Sequence, residues 1–161
     1  MSLPISRRMS WAYGLTVALL AVSGTMQMPI ASRYRITAVP GLAWLGDFWF
    51  THRLHYLGAI ALLTLASYLA TRWLLEWRRD HALTLFGQAR AGLLAALMLT
   101  GALRVLKNLP EVSFSPTPVM LVDWTHLALA LLLGLLALAR LSARASYVRP
   151  RVPPLEQARS R

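Results

Sequence analysis

The chain has 161 residues, 57% of them hydrophobic and only 14% charged, with a formal net charge of +11. A soluble domain is nearer to about a quarter charged. The mean hydropathy of +0.49, with basic residues that flank apolar runs and form no domain of their own, indicates an integral membrane protein and speaks against nucleic acid as a partner. The absence of cysteine excludes disulfides, Cys-ligated zinc, iron–sulfur clusters and covalently attached c-type haem.

A bilayer-spanning helix needs about 20 mostly apolar residues, and four stretches meet that length. The first, Trp11 to Ile30, follows a basic start and resembles a signal peptide, but its apolar run has no clear small-residue cleavage site and reads as a retained helix. "SRYRITAVPGLAWLGDFWF" comes next, where Pro, Gly and clustered aromatic residues suit an interfacial loop or a short surface helix. Span two runs from about Thr51 to Trp73. It opens with two histidines, His52 and His55, at the edge of its apolar run, and an imidazole there is costly unless it has a task. His81, in the following "WRRDHAL", reads as a solvated loop residue. Span three, Gln88 to Leu106, carries Arg104 near one end, from which it can snorkel. The proline-rich "KNLPEVSFSPTP" is a loop. Span four, Val119 to Arg140, holds Asp123 near its start and His126 a turn later. The basic, proline-containing tail, residues 145–161, is expected to be disordered. No internal repeat is legible. The fold expected is all-α: a transmembrane four-helix bundle over residues 1–144.

Positive charge favours the cytoplasmic side. With the N-terminus inside, only Arg33, Arg35, Arg53, Arg104 and Lys107 of the 17 basic residues fall outside, so both termini are expected in the cytoplasm. His55 and His126 then both lie towards the outer side. At about 1.5 Å per residue they stand roughly 27 and 21 Å above the inner ends of their spans, a difference that helix tilt absorbs. Two facing imidazoles in a helical bundle suit axial ligation of haem iron, with His52 the second choice for His55. Small residues let a flat macrocycle approach backbone, and Ser23–Gly24 in "VSGT" and Thr100–Gly101 in "LTGA" lie at comparable depth. The same residues also serve plain helix–helix packing. Arg53, Arg104 and Lys107 are available to haem propionates.

The order of these features resembles the four-helix cytochrome b subunits of respiratory formate dehydrogenases and nickel–iron hydrogenases, over about Arg7 to Arg144. "RRMSW" is similar to the family's Arg-x-x-His-Trp opening, "VSG" to its small-residue motif, "HRLH" to the ligand-bearing start of span two and "GQARAGLLAALMLTG" to span three. "DWTHLALAL" is similar to the segment around the span-four ligand. The resemblance implies His55 and His126 as axial ligands of an outer haem b. The family also holds an inner haem, but Ser10 and Arg140 stand here where its two ligands would be. Both inner ligands are missing together and both outer ones are kept, which points to a one-haem relative. The family's quinone site lies beside the inner haem, so its position in this chain stays open.

The function expected is therefore a membrane anchor in the inner membrane of a bacterium, relaying electrons between a periplasmic redox subunit with metal or iron–sulfur centres and the quinone pool or another carrier. Exposed-looking Trp44, Phe48, Trp49, Phe50 and Phe114 in the outer loops suit bilayer anchoring and docking of that subunit. A non-redox structural subunit and a small transporter using Asp123 are the alternatives.

Overall fold

The computed structural model describes residues 5–28, 33–34 and 36–151. Arg35, the end of the expected first span at Ile30, and the tail from residue 152 lie outside the described residues. The protein is all-α, 76% helical, and among the described residues four helices are long and apolar enough to cross a membrane. They are α1 (Arg7–Met26), α2 (Phe48–Leu75), α3 (Leu85–Leu106) and α4 (Pro116–Ser142). It is a multi-pass membrane protein, and most of each helix surface is unburied.

Local chemistry sets the helix ends, several residues outside the apolar runs. Ser6 caps α1 by accepting a bond from Met9 N, so the helix starts at Arg7 rather than Trp11. Asp47 does the same for α2: its carboxylate accepts from Phe50 N and its carbonyl from Thr51 N. The aromatic run Phe48–Phe50, expected in the interfacial loop, is therefore the first turn of α2. The rest of that loop holds two short 3₁₀ turns, Ile36–Ala38 and Ala43–Gly46. Thr84 caps α3 through Gly87 N, and Pro116 opens α4 at the position where its missing N–H costs nothing.

The helices group into two compact units, the described residues up to Trp73 and those from Leu74 onward. In the first, α1 and α2 approach closely where Gly58 faces the side chains of Leu19 and Leu20. The second consists of α3 and α4 with a small closure at one end. There β1 (His81–Leu83) pairs antiparallel with β2 (Val148–Pro150), in the register His81↔Pro150 and Leu83↔Val148. The segment after Ser142, expected to be disordered, is thus ordered as far as Arg151. Its binding is specific: Thr84 Oγ1 donates to Ser146 O at 2.6 Å, Thr84 N to Tyr147 O at 3.1 Å and Arg151 N to Asp80 O at 2.8 Å. The Arg90 and Arg140 guanidinium groups both lie over the Tyr147 ring, at 4.5 and 4.9 Å from its centroid. Composition pointed to disorder because it registers Pro and Arg but not these partners. His81 also differs from expectation. It is half-buried on β1, and its Nδ1 is buried without a hydrogen-bond partner among the described residues.

Gly87 makes this closure possible. A Cβ there would collide with the Tyr147 carbonyl and sit 3.2 Å from Leu83 Cδ2. Gly87→Ala should therefore destabilise the second unit by about 1–3 kcal/mol, the usual range for overpacking. It should also speed tryptic cleavage at Arg144 and Arg151. Gly92→Ala, inside α3 with nothing within 4 Å of the added atom, is the control and should be no less stable and be cleaved no faster.

Candidate functional site: a hydroxyl, a glycine and an imidazole in each helical unit

In the first unit, Ser23 near the end of α1 meets His55 near the start of α2. Ser23 Oγ lies 3.0 Å from His55 Nδ1 and 2.7 Å from Leu19 O, one turn back on its own helix. Ser23 is 1% exposed. The next residue, Gly24, leaves room for the ring: a Cβ there would stand 3.2 Å from His55 Cε1. The helices place these groups together because α1 and α2 run antiparallel through a hairpin, so the end of one adjoins the start of the other.

The second unit repeats the arrangement. Thr100 Oγ1, near the end of α3, lies 2.9 Å from His126 Nδ1, near the start of α4, and donates to Ala96 O at 2.9 Å. Gly101 follows, with His126 Cε1 at 3.5 Å from the position of an added Cβ. Each unit thus carries a hydroxyl residue, then a glycine, facing an imidazole on the next helix. The sequence marked Ser23, Gly24, Thr100 and Gly101 as small residues. It did not reveal that the two hydroxyls bond the two histidines. The available signal was physical: an imidazole in an apolar helix needs a polar partner, and each pair lies at a matching depth.

His52 has a different setting. Its Nδ1 donates to Gln27 Oε1 at 3.0 Å, while Gln27 Nε2 donates to Ser23 O at 3.0 Å. The ring stacks on Phe48, centroids 5.4 Å apart, and touches Tyr56 at 4.4 Å. His52 ties the end of α1 to α2 among aromatic rings, whereas His55 is the histidine that faces a glycine.

The basic residues separate as well. Arg104 lies one turn beyond Gly101 on α3, and Asp123 one turn before His126 on α4. Asp123 takes Arg104 Nε at 2.9 Å and Lys107 Nζ at 2.6 Å. Two cations share one carboxylate, so the cluster keeps a surplus positive charge next to His126. The same pairing gives Asp123 a structural task. Arg53 is exposed and, two residues before His55, lies about 200° away around α2. It does not share a helix face with that imidazole.

Ser10 and Arg140, which replace the inner ligands of the resembled family, are used locally. Ser10 Oγ donates to Ser6 O at 3.4 Å, and Arg140 Nε donates to Ala145 O at 2.8 Å while its guanidinium covers Tyr147. No family model, curated protein or solved structure matches the chain.

The two glycines differ in a measurable way. An alanine in a helix gains about 0.5–1 kcal/mol over glycine. At Gly101 the added methyl meets His126 at ordinary contact distance, but at Gly24 it crowds His55 at 3.2 Å. Thermal unfolding in detergent should find Gly101→Ala at least as stable as the parent and Gly24→Ala less stable. Equal shifts for the two would show that the Gly24–His55 contact carries no constraint.

Proposed function

We propose that the protein is an electron-transfer membrane subunit binding one non-covalent b-type haem, with His55 and His126 as its axial ligands. The observation that carries this reading is the matched hydroxyl–glycine–imidazole set, one in each helical unit. Successive membrane crossings alternate in direction. The end of α1, the start of α2, the end of α3 and the start of α4 therefore belong to one membrane face, and the two imidazoles with them. A donor set of two neutral imidazoles, with a glycine beside each, suits a low-spin b haem. A lone structural histidine would require neither the second set nor the glycines. The haem, when bound, supplies a one-electron carrier.

This chain's own residues supply its surroundings. Gly24 and Gly101 keep side chains away from the imidazoles. The surplus charge of Arg104 and Lys107 over Asp123 suits a propionate. Arg140 and Ser10 offer no imidazole at the other face, and Arg140 is a permanent cation with no lone pair to give, so one haem is the stoichiometry. The protein lies in the inner membrane of a bacterium with both termini in the cytoplasm, where basic residues concentrate. Its histidine-bearing face is then periplasmic. Exposed Trp44, Trp49 and Phe50 there, with Trp44 and Phe50 packed edge to face at 5.5 Å, suit docking of a periplasmic redox subunit with metal or iron–sulfur centres. Electrons pass between that subunit and quinone, or another carrier, through the haem.

The test is haem content. A pyridine haemochrome assay on protein purified from native membranes should give one haem per chain, and His55→Ala and His126→Ala should each lose it. Full retention in His126→Ala contradicts the assignment, and two haems per chain contradict the stoichiometry. A haem kept in His55→Ala but lost in His52→Ala would transfer the role to His52.

Orientation has a separate check. Ser115 precedes α4, is exposed and makes no side-chain cap bond, so Ser115→Cys costs little. With no natural cysteine to compete, a membrane-impermeant thiol reagent should label it from outside intact spheroplasts. Labelling only after permeabilisation would reverse the topology.

A further inference from the structure

We infer that Ser23 and Thr100 are positioning residues that hold His55 and His126 as Nδ1–H donors, so that each ring carries its lone pair on Nε2. The inference rests on the haem reading for its consequence but on hydrogen-bond geometry for its substance. A serine or threonine hydroxyl has one proton to give. In both units that proton has a short acceptor on its own helix, Leu19 O at 2.7 Å from Ser23 Oγ and Ala96 O at 2.9 Å from Thr100 Oγ1. The imidazole nitrogens at 3.0 and 2.9 Å then meet an oxygen that accepts. Only the Nδ1–H tautomer uses both short contacts. The opposite tautomer would spend the hydroxyl proton on Nδ1 and give up the short bond to the helical carbonyl.

The consequence concerns the ligand field. A histidine bound to a metal through Nε2 is normally oriented and made more basic by the bond from its other N–H. Here that bond goes to a neutral hydroxyl on the neighbouring helix, which is itself tied to a helical carbonyl. The acceptor is fixed in place, and it pushes less charge onto the ring than a carboxylate would. Each hydroxyl therefore fixes the ring's direction and tunes the iron through the imidazole, without touching the haem. That the same device occurs twice, on unrelated stretches "AVSGT" and "MLTGA", argues against a chance contact.

The experiment uses the haem-loaded protein in mild detergent, with Ser23→Ala, Thr100→Ala and the conservative pair Ser23→Thr and Thr100→Ser. Readouts are the midpoint potential, the low-spin ferric EPR signal and haem affinity. Each alanine variant should raise the potential, because a poorer donor favours ferrous iron, should shift the EPR g values, and should weaken haem binding by about 10–100-fold. The conservative variants should return all three towards the parent. Alanine variants that keep the parent's potential and EPR signal overturn the inference while leaving the haem reading intact. A parent chain without haem defeats the haem reading instead. In that case, and if the alanine variants fail to accumulate, ¹⁵N NMR of histidine-labelled, haem-free parent protein decides the point. Protonated Nδ1 and unprotonated Nε2 at both rings support the inference, and the reverse tautomer at either ring overturns it.

Discussion

An imidazole placed in hydrocarbon must find a hydrogen-bond partner within the protein, because lipid offers none and an unsatisfied polar group there costs several kcal/mol. In this chain that constraint is met across a helix pair, twice. His55 is bonded to Ser23 and His126 to Thr100, and each bond joins the end of one helix to the start of the next. Interhelical hydrogen bonds in membranes contribute only about 0.6–2 kcal/mol each, so these bonds fix register more than they hold the helices together. Within each hairpin they decide how the two helices are aligned and which way the imidazole points. At Gly24 the close approach crowds any side chain one residue along, whereas at Gly101 a methyl would meet His126 at ordinary contact distance.

The opposite ends of the helices obey a different logic. There the second unit is closed by peptide hydrogen bonds, a small two-stranded sheet and a tyrosine covered by two arginines. Arg140 is spent on this closure. A residue that binds a carbonyl and covers an aromatic ring is not available as a ligand, and it could not be one chemically. The asymmetry between the two ends, polar pairs with glycines at one and a basic clasp at the other, is what gives the proposed one-haem arrangement its direction in the membrane.

Electrostatics adds a second asymmetry, between the two units. Beside His126, Asp123 gathers Arg104 and Lys107 into a cluster of net positive charge. Beside His55, the neighbouring groups are Gln27, His52 and aromatic rings. Counter-charge for an anionic group is therefore a property of the second unit. Asp123 limits that charge and keeps the two cations from repelling each other at the membrane edge.

The sequence by itself determined the class of protein and the number of crossings, because apolar runs of spanning length are a property of composition along the chain and need no partner. It also marked His55, His126, Gly24 and Gly101, since an imidazole and a glycine in an apolar run stand out whatever surrounds them. Helix ends were less legible: Ser6, Asp47 and Thr84 start their helices outside the apolar runs, through side-chain and backbone bonds to the first turn. Only the tertiary structure decided that Ser23 and Thr100 are the histidines' partners, that Arg104 and Lys107 converge on Asp123, and that residues after Ser142 form a strand. Each of these depends on groups far apart in the chain being brought within about 3 Å, the range of a hydrogen bond. Hydropathy along a sequence records what a residue avoids, and the fold alone records what it meets.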